Sequence, residues 1–389
     1  MAYDFDTLPP RQGTSSLKWD FQQRFTGTDG LLPLWVADMD FPTPPEIVEA
    51  IRRRVDHGVF GYTLEPESLF AAAAAWQERR HGWGVRREWM IASPGVIPSF
   101  VACVLALTEP GDGVVIQTPV YNPFALRIAA TGRRVVENPL RLSAARWSMD
   151  LDSLDRVLRG GGVKMLVLCS PHNPVGRVWE RPLLEELARL CASRGVVIVS
   201  DEIHGDLVLN AHRHVPVASL SAEAAAVTVT LVAATKTFNL AGMGGSLAII
   251  PEAPLRAKVD AQHHALFSGA ANAAAVAACE AAWRLGEPWL EALLRYLEGN
   301  DRFLRDALKD RLPEVSVLPL EGTYLPLLDM RRLGLGDEAI RDRLLHRARV
   351  WLNDGAPFGT GGAGFQRINI ACPRALLAEA VQRMAGALR

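Results

Sequence analysis

The 389 residues of this chain exceed what one small hydrophobic core needs, so we expect one large domain and a smaller one. Hydrophobic residues make up 49% and charged residues 22% of the chain, and the apolar runs are too short to span a bilayer, which argues against a membrane protein. Lys and Arg (42) nearly balance Asp and Glu (43), which argues against a nucleic-acid-binding protein and favours small-molecule chemistry.

The N-terminal region, residues 1–45, contains an apolar stretch from Leu34 to Pro42. Such a stretch is too apolar for a free tail, so we expect it to pack on the body of the protein and on the smaller domain. The chain starts with an acidic segment instead of the basic and apolar pattern of a signal peptide, and we expect a cytoplasmic protein. A helix is predicted over Glu46–His57, where apolar residues recur at helical spacing.

Between residues 90 and 250, short apolar runs alternate with amphipathic helical patterns, which is typical of an α/β fold with a mostly parallel sheet. The predicted strands are Val114–Gln117, Met165–Leu168, Val196–Val199, Val227–Val232 and Ser246–Ile250. The predicted helices include Arg181–Arg194, Ala270–Arg284, Trp289–Leu312 and Arg374–Arg389. We predict that residues 46–270 form the large domain, and that residues 271–389 form linking helices and the small domain.

Polar side chains follow three of these strands at equivalent points: Asn173 after the second, Asp201 after the third and Lys236 after the fourth. Ligand sites in open α/β sheets lie beyond the carboxyl ends of the strands, so we expect one shared pocket. A desolvated lysine has a lowered pKa and can form a Schiff base, although a lone lysine is usually a solvated loop residue. Asn173 by itself fits a simple Asn-Pro turn better than a binding residue. The coincidence of the three positions favours a functional site.

A glycine-containing turn, Ser93–Phe100, opens an apolar helix. Free N–H groups and the positive end of the helix dipole make such a turn a candidate anion site, although any helix start has these features.

Cysteines and histidines give little sign of a metal site or of disulfides. The five cysteines are widely spaced and contain no Cys-x-x-Cys, so we predict neither disulfides nor a zinc site. Two histidine clusters have no nearby cysteine or acidic pattern that completes a metal-ligand set, and solvated histidines are expected there. These histidines are His212, His214, His263 and His264.

Three segments that carry the polar strand ends together resemble the fold-type I pyridoxal-phosphate enzymes, and within them the MalY/PatB-type cystathionine β-lyase (C–S lyase) group. They are Ser170–Trp179, Ser200–Leu207 and Ala234–Gly242. Four more stretches are similar to the same group: Pro33–Phe41, Gly286–Leu290, Gly322–Leu325 and Arg367–Arg374. The resemblance covers nearly the whole chain. It implies an aspartate aminotransferase-like fold, with a three-layer α/β/α large domain and a smaller α+β domain.

The resemblance also implies pyridoxal 5'-phosphate as the cofactor and assigns its ligands. Lys236 would form the Schiff base, Asp201 would pair with the pyridine nitrogen, and Tyr121 would stack on the ring; these three are the implied catalytic residues. Asn173 would bond the phenolic oxygen, with His204 nearby. The residues implied to hold the phosphate are Gly95, Val96, Ile97 and Thr235. Relatives often carry a phosphate-binding hydroxyl where this chain has Ala233, so backbone N–H groups would carry more of the phosphate binding.

An amino acid is the implied substrate, and Arg367 would bind its carboxylate with a planar two-pronged fork. Ala37 and Tyr62 would border the substrate. Tyr62 would reach across from the second subunit of a homodimer that has shared active sites, and it would also bind the cofactor. Neither nucleic acid nor a membrane is expected as a partner, and no metal is expected.

The implied reaction is α,β-elimination on an S-substituted cysteine or cystathionine-like amino acid, which gives a thiol, pyruvate and ammonia. Transamination or decarboxylation could start from the same bound substrate, so a pyridoxal-phosphate-dependent aminotransferase and a decarboxylating deaminase remain alternatives. A regulatory binding protein is disfavoured because residues 1–45 are too short for a DNA-binding domain and the net charge is −1.

Overall fold

The structure, a computed structural model, describes residues 3–267 and 271–388. The elements of the first part of the chain are α1 (Gln22–Thr26), β1 (Leu32–Pro33), α2 (Pro45–Asp56), α3 (Glu67–His81), β2 (Met90–Ser93), α4 (Val96–Leu107), β3 (Gly113–Ile116), α5 (Pro123–Ala130), β4 (Arg134–Glu137), β5 (Arg141–Ser143), β6 (Arg146–Ser148) and α6 (Leu151–Arg159).

The chain continues with a second series of helices and strands: β7 (Val163–Cys169), α7 (Arg181–Ser193), β8 (Val197–Asp201), α8 (Ala222–Val227), β9 (Thr228–Val232), β10 (Ser246–Ile249), α9 (Ala253–Phe267), α10 (Ala273–Leu285), α11 (Glu287–Arg311), β11 (Ser316–Val317), β12 (Leu327–Asp329), α12 (Asp337–Asp342), β13 (Val350–Trp351), β14 (Asn353–Asp354), β15 (Phe365–Arg367) and α13 (Arg374–Leu388). A π-helical turn covers Arg343–Ala348, and 3₁₀ turns cover Arg87–Trp89, Val217–Ser219, Arg331–Leu333 and Ala356–Phe358.

A seven-stranded sheet in the order β2-β10-β9-β8-β7-β3-β4 forms the centre of the larger part of the molecule. The strands from β9 to β4 pair in parallel, whereas β10 is antiparallel to both β9 and β2. The predicted α/β fold with a mostly parallel sheet is therefore confirmed. The predicted strands agree with β3, β7, β8, β9 and β10 to within about two residues at their ends.

Side chains of successive strand residues point to opposite faces of this sheet, and each face has its own apolar core. Leu166 and Leu168 pack with α6 and α7, whereas Met165 and Val167 pack with α4 and α5. The sheet is thus covered by helices on both faces, as the continuous apolar strands predicted.

Helix boundaries follow from local signals in the sequence. Asp150 caps α6 by accepting a hydrogen bond from the backbone N–H of Ser153, and Asn272 caps α10 in the same way. Helix α3 ends at Gly82, whose φ of +66° lies in the left-handed region that glycine favours. Of the predicted helices, Ala270–Arg284 starts and Arg374–Arg389 ends outside the described residues, at positions 270 and 389.

A second, four-stranded antiparallel sheet in the order β11-β12-β15-β14 lies in the C-terminal part of the chain. The N-terminal segment joins this part because β1 pairs in parallel with β13. Lys18 and Asp40, both fully buried, form an ion pair of 2.7 Å that fixes the same segment. The division at residue 270 into a large and a small domain stays a prediction.

Two of the histidines expected in solvent are buried, so that expectation is wrong for His214 and His263. The Nε2 atom of His214 lies 2.9 Å from an Oε atom of Glu202, because a buried carboxylate needs a polar partner. His212 and His264 are exposed. Within the described ranges, no helix is both long and apolar enough to cross a lipid bilayer.

Candidate active site

A cavity of about 500 Å³ lies beyond the carboxyl ends of β7, β8 and β9. The three ends meet because Asp201 in β8 is paired with Cys169 in β7 and with Leu231 in β9. All but one of the residues predicted for the site line this cavity: Ala37, Gly95, Val96, Ile97, Tyr121, Asn173, Asp201, His204, Thr235, Lys236 and Arg367.

Lys236 follows β9 and points its amine at the N-terminal segment. The Nζ atom donates a hydrogen bond of 2.6 Å to the carbonyl oxygen of Ala37, which also accepts one of 3.1 Å from the hydroxyl of Tyr324. Burial lowers the pKa of Lys236 to about 8, and the nearby charge of Arg367 acts in the same direction. A substantial fraction of the amine is therefore neutral near physiological pH, as a nucleophile or base requires.

Asp201 closes β8 and is 95% buried. Its Oδ1 accepts a hydrogen bond of 3.1 Å from the backbone N–H of Ile203. Burial raises the pKa of Asp201 to about 7, and the neighbouring charge of Glu202 adds to this effect. A carboxylate in such a place is stabilised by a cation or by a protonated ring nitrogen within hydrogen-bond reach.

Arg367 reaches the cavity from β15 and makes two hydrogen bonds of 2.8 Å. Its guanidinium donates to Oδ1 of Asn173 and to the carbonyl oxygen of Trp35, and it lies over the ring of Phe358 with 5.1 Å to the centroid. Its Nε is buried and has no hydrogen-bond partner among the described residues. Burial lowers the pKa of Arg367 to about 10, so the side chain is still a cation at neutral pH. This preformed fork suits a carboxylate.

The amino end of α4 borders the cavity with backbone N–H groups. The backbone N–H groups of Val96 and Ile97 belong to the first helical turn and have no intrahelical acceptor. Gly244, with φ +74°, lets the chain approach closely, since a Cβ atom there would lie 2.7 Å from the carbonyl oxygen of Pro94. Together with Thr235, these groups form a site that fits a phosphate group.

Tyr121 and His204 line the cavity on other sides. The backbone N–H of Tyr121 donates to the carbonyl oxygen of Asn173 at 3.0 Å, which holds the tyrosine beside the end of β7. His204 is 97% buried, and burial lowers its pKa to about 3, so the imidazole is neutral. Its Nδ1 has no partner within the described part of the chain.

Residues 30–384 match the family model described as aminotransferase class I and II. The chain belongs to this family. Cystathionine beta-lyase PatB of Bacillus subtilis is 42% identical over 99% of this chain and 100% of that protein. Protein MalY of Escherichia coli is 35% identical over 100% of this chain and 99% of that protein. The resemblance inferred from the motifs is confirmed.

The fold of this chain is also similar to that of a solved structure. The crystal structure of cystalysin from Treponema denticola, which contains pyridoxal 5'-phosphate, matches with a TM-score of 0.96 and 35% identity. The match covers 100% of this chain and 99% of that chain. The fold-type I fold predicted from the motifs is confirmed.

Tyr62 is the one predicted site residue that does not line the cavity in the single chain. Its side chain is fully exposed, with a relative accessibility of 101%. Its proposed role depends on a second subunit and stays a prediction.

Several residues that line or adjoin the cavity were not predicted from the sequence. Trp35, Asn353 and Phe358 line the cavity, and Tyr324 shares the acceptor of Lys236. Trp35 and Tyr324 lie in segments that resemble the C–S lyase group, which is a usable signal. Asn353 and Phe358 carry none, because the two-residue strand β14 and the 3₁₀ turn Ala356–Phe358 are too short to show a pattern in the sequence.

Proposed function

We propose that this protein is a pyridoxal-phosphate-dependent C–S lyase. In the proposed reaction, α,β-elimination on an S-substituted cysteine or cystathionine-like amino acid gives a thiol, pyruvate and ammonia. The observation that carries the proposal is the grouping of Lys236, Asp201 and Arg367 around one cavity, in a chain whose relative PatB is named a cystathionine beta-lyase.

The residues of the cavity fit pyridoxal 5'-phosphate group by group. Lys236 offers a partly neutral amine for the aldehyde, and buried Asp201 needs the cationic partner that a protonated ring nitrogen supplies. The amide nitrogen of Asn173 can donate to the phenolic oxygen, since its Oδ1 already accepts from Arg367. The amino end of α4 and Thr235 would hold the phosphate, and Tyr121 would contact the ring.

When bound, the cofactor supplies an electron sink for the bonding electrons of the substrate's α-carbon. Arg367 would hold the substrate carboxylate and thereby orient the α C–H bond. The Nζ atom of Lys236 would accept the α-proton and could return it to the sulfur of the leaving thiolate. Water would complete the stoichiometry by converting the remaining three-carbon fragment to pyruvate and ammonia.

The test of this proposal is product analysis with purified protein and L-cystathionine or an S-substituted cysteine. We expect pyruvate, ammonia and a thiol in equal amounts, without an added keto acid. If turnover requires a keto-acid acceptor and releases no thiol, the protein is an aminotransferase; release of CO₂ in place of thiol indicates a decarboxylating enzyme.

Replacing Arg367 by alanine should lower kcat/KM for the amino-acid substrate by about ten- to a thousand-fold, because a buried carboxylate would lose a bidentate charged partner. Arg367→Lys keeps the charge without the planar fork and should give an intermediate loss. Steady-state kinetics measure the effect, with the exposed Arg332→Ala as control. An Arg367→Ala enzyme with the kcat/KM of the wild type would contradict the assignment.

A homodimer with shared active sites is part of the proposal. Large apolar side chains in the last turn of α2 and between α2 and α3 are exposed in the single chain: Val55 by 48%, Val59 by 63%, Phe60 by 66% and Leu64 by 74%. Beside them lies a cavity of about 880 Å³, whose lining includes Leu64 and Phe70. An apolar surface of this kind is typical of a protein interface, and Tyr62 lies within it.

Mixing inactive Lys236→Ala and Tyr62→Ala proteins tests the shared site. Each mixed dimer would contain one site with both native residues, so after random exchange about a quarter of the wild-type activity should return. Activity is measured after subunit exchange has been verified with differently tagged chains. A lack of recovery after complete exchange would place Tyr62 outside the partner's site.

We also propose that the protein acts in the cytoplasm. All five cysteines are buried free thiols, and their side chains would be kept reduced in that compartment.

A further inference from the structure

Two buried carboxylate–histidine pairs lie behind the candidate active site. An Oδ atom of Asp206 lies 3.0 Å from Nε2 of His81, and an Oε atom of Glu202 lies 2.9 Å from Nε2 of His214. The two imidazoles meet edge to face, with 5.2 Å between ring centroids. The mechanism above uses none of these four side chains.

Asp206 accepts hydrogen bonds from three side chains. Its Oδ1 accepts a hydrogen bond of 3.0 Å from the indole of Trp76 besides its contact with His81, and its Oδ2 accepts one of 2.9 Å from the hydroxyl of Thr237. Burial opposes ionisation of Asp206, but the hydrogen bond and charge of His81, with the other donors, lower its pKa. Asp206 therefore remains a carboxylate that accepts three hydrogen bonds.

Thr237 connects Asp206 to the active site because it directly follows Lys236. The chain around the lysine forms a tight turn, in which the backbone N–H of Phe238 donates to Ala234 at 3.0 Å and that of Leu240 donates to Thr235 at 2.8 Å. Thr237 is fully buried, so its hydroxyl has no alternative partner in solvent. The bond to Asp206 thus fixes the turn from which Lys236 extends.

Glu202 makes the corresponding connection to Asp201, the residue before it. Its Oε1 accepts from the hydroxyl of Ser200 at 2.8 Å and from the backbone N–H of Val217 at 3.1 Å. His214 is paired with Glu202, next to Asp201, and His81 is paired with Asp206, which holds the turn of Lys236. The contact between the two imidazole rings therefore connects the surroundings of Asp201 with those of Lys236.

We infer that Asp206 is a positioning residue, which holds Lys236 through Thr237. Through His81, His214 and Glu202, it also links the turn of Lys236 to the end of β8 at Asp201. The inference rests on the proposed function only for its kinetic consequence. A reacting group displaced by about 1 Å can cost about a hundred-fold in rate, so support of the lysine turn matters for turnover.

The test compares Thr237→Val, which removes the hydroxyl at nearly constant shape, with Thr237→Ser, which keeps it. In the cofactor-loaded enzyme, the valine variant should lose about ten- to a hundred-fold in kcat at nearly unchanged KM, and the serine variant much less. The visible circular dichroism band of the bound cofactor should change in the valine variant only. Asp206→Asn loses the charge at constant size and should change kcat and the dichroism band as Thr237→Val does. It replaces the valine variant in the comparison if that variant does not fold.

A second readout needs neither activity nor cofactor. In cofactor-free protein at pH 8, reductive methylation of Lys236 is followed by peptide mapping relative to the exposed Lys164. We expect the labelling rates of the valine and serine variants to differ about three-fold or more, because release of the amine from its buried place changes both its protonation and its access to the reagent. Equal labelling rates and equal dichroism bands in the two variants would overturn the inference. A wild-type protein that binds no cofactor would instead refute the proposed function, and the labelling comparison would still decide the inference.

Discussion

Replacing Lys236 by alanine is expected to reduce lyase turnover by at least about a thousand-fold, the largest effect of any single substitution. The variant loses the amine that would bond the cofactor and also the base that would take the α-proton, and general-base catalysis alone contributes about a hundred- to ten-thousand-fold. No other described lysine lines the cavity, so no neighbouring amine can replace it. The measurement is kcat for pyruvate release, with the exposed Lys164→Ala as the matched control.

Borohydride reduction followed by peptide mapping tests the same residue directly. We expect the reduced cofactor on Lys236 alone; a label on another lysine would contradict the assignment. The lowered pKa of about 8 adds a pH criterion, because the amine is neutral and reactive above its pKa and protonated below it. Labelling of cofactor-free wild-type protein by an amine reagent should therefore reach half its maximum near pH 8 and decline as the pH falls.

Replacing Asp201 by asparagine is expected to lower kcat by roughly a hundred-fold or more, with a much smaller change in KM. The carboxylate would stabilise the protonated ring nitrogen, and this stabilisation matters most when negative charge develops on the α-carbon. Substrate binding depends mainly on Arg367, which this substitution leaves in place. The expected pattern is therefore a loss in turnover and not in affinity, as measured by steady-state kinetics.

Asp201→Glu provides the matched control, because it keeps the charge and changes only the reach of the side chain. It should retain more activity than Asp201→Asn, and the absorption band of the bound cofactor should stay closer to that of the wild type. If Asp201→Asn turns over as fast as the wild type, Asp201 has only a structural role in the sheet.

The sequence by itself determined five of the seven strands of the central sheet, β3 and β7 to β10, and the three polar groups at its edge, whereas β2 and β4 were not predicted. Continuous apolar runs are typical of strands that are buried on both faces, and the end of each run marks where the chain leaves the sheet. Asn173, Asp201 and Lys236 were predictable as neighbours because the carboxyl ends of adjacent parallel strands meet at one edge. The register that pairs Asp201 with Cys169 and Leu231 agrees with this reasoning.

Only the tertiary structure decided how distant segments complete the cavity. The carbonyl oxygen of Ala37 binds Lys236 across 199 residues, and Arg367 contacts Asn173 across 194 residues. The hydrogen bond from the hydroxyl of Thr237 to the carboxylate of Asp206 could likewise not be predicted, because it forms only when the turn around Lys236 packs beside Asp206. Periodicity and turn residues encode local structure, whereas these contacts depend on how helices and sheets pack on one another, which no short stretch of sequence specifies.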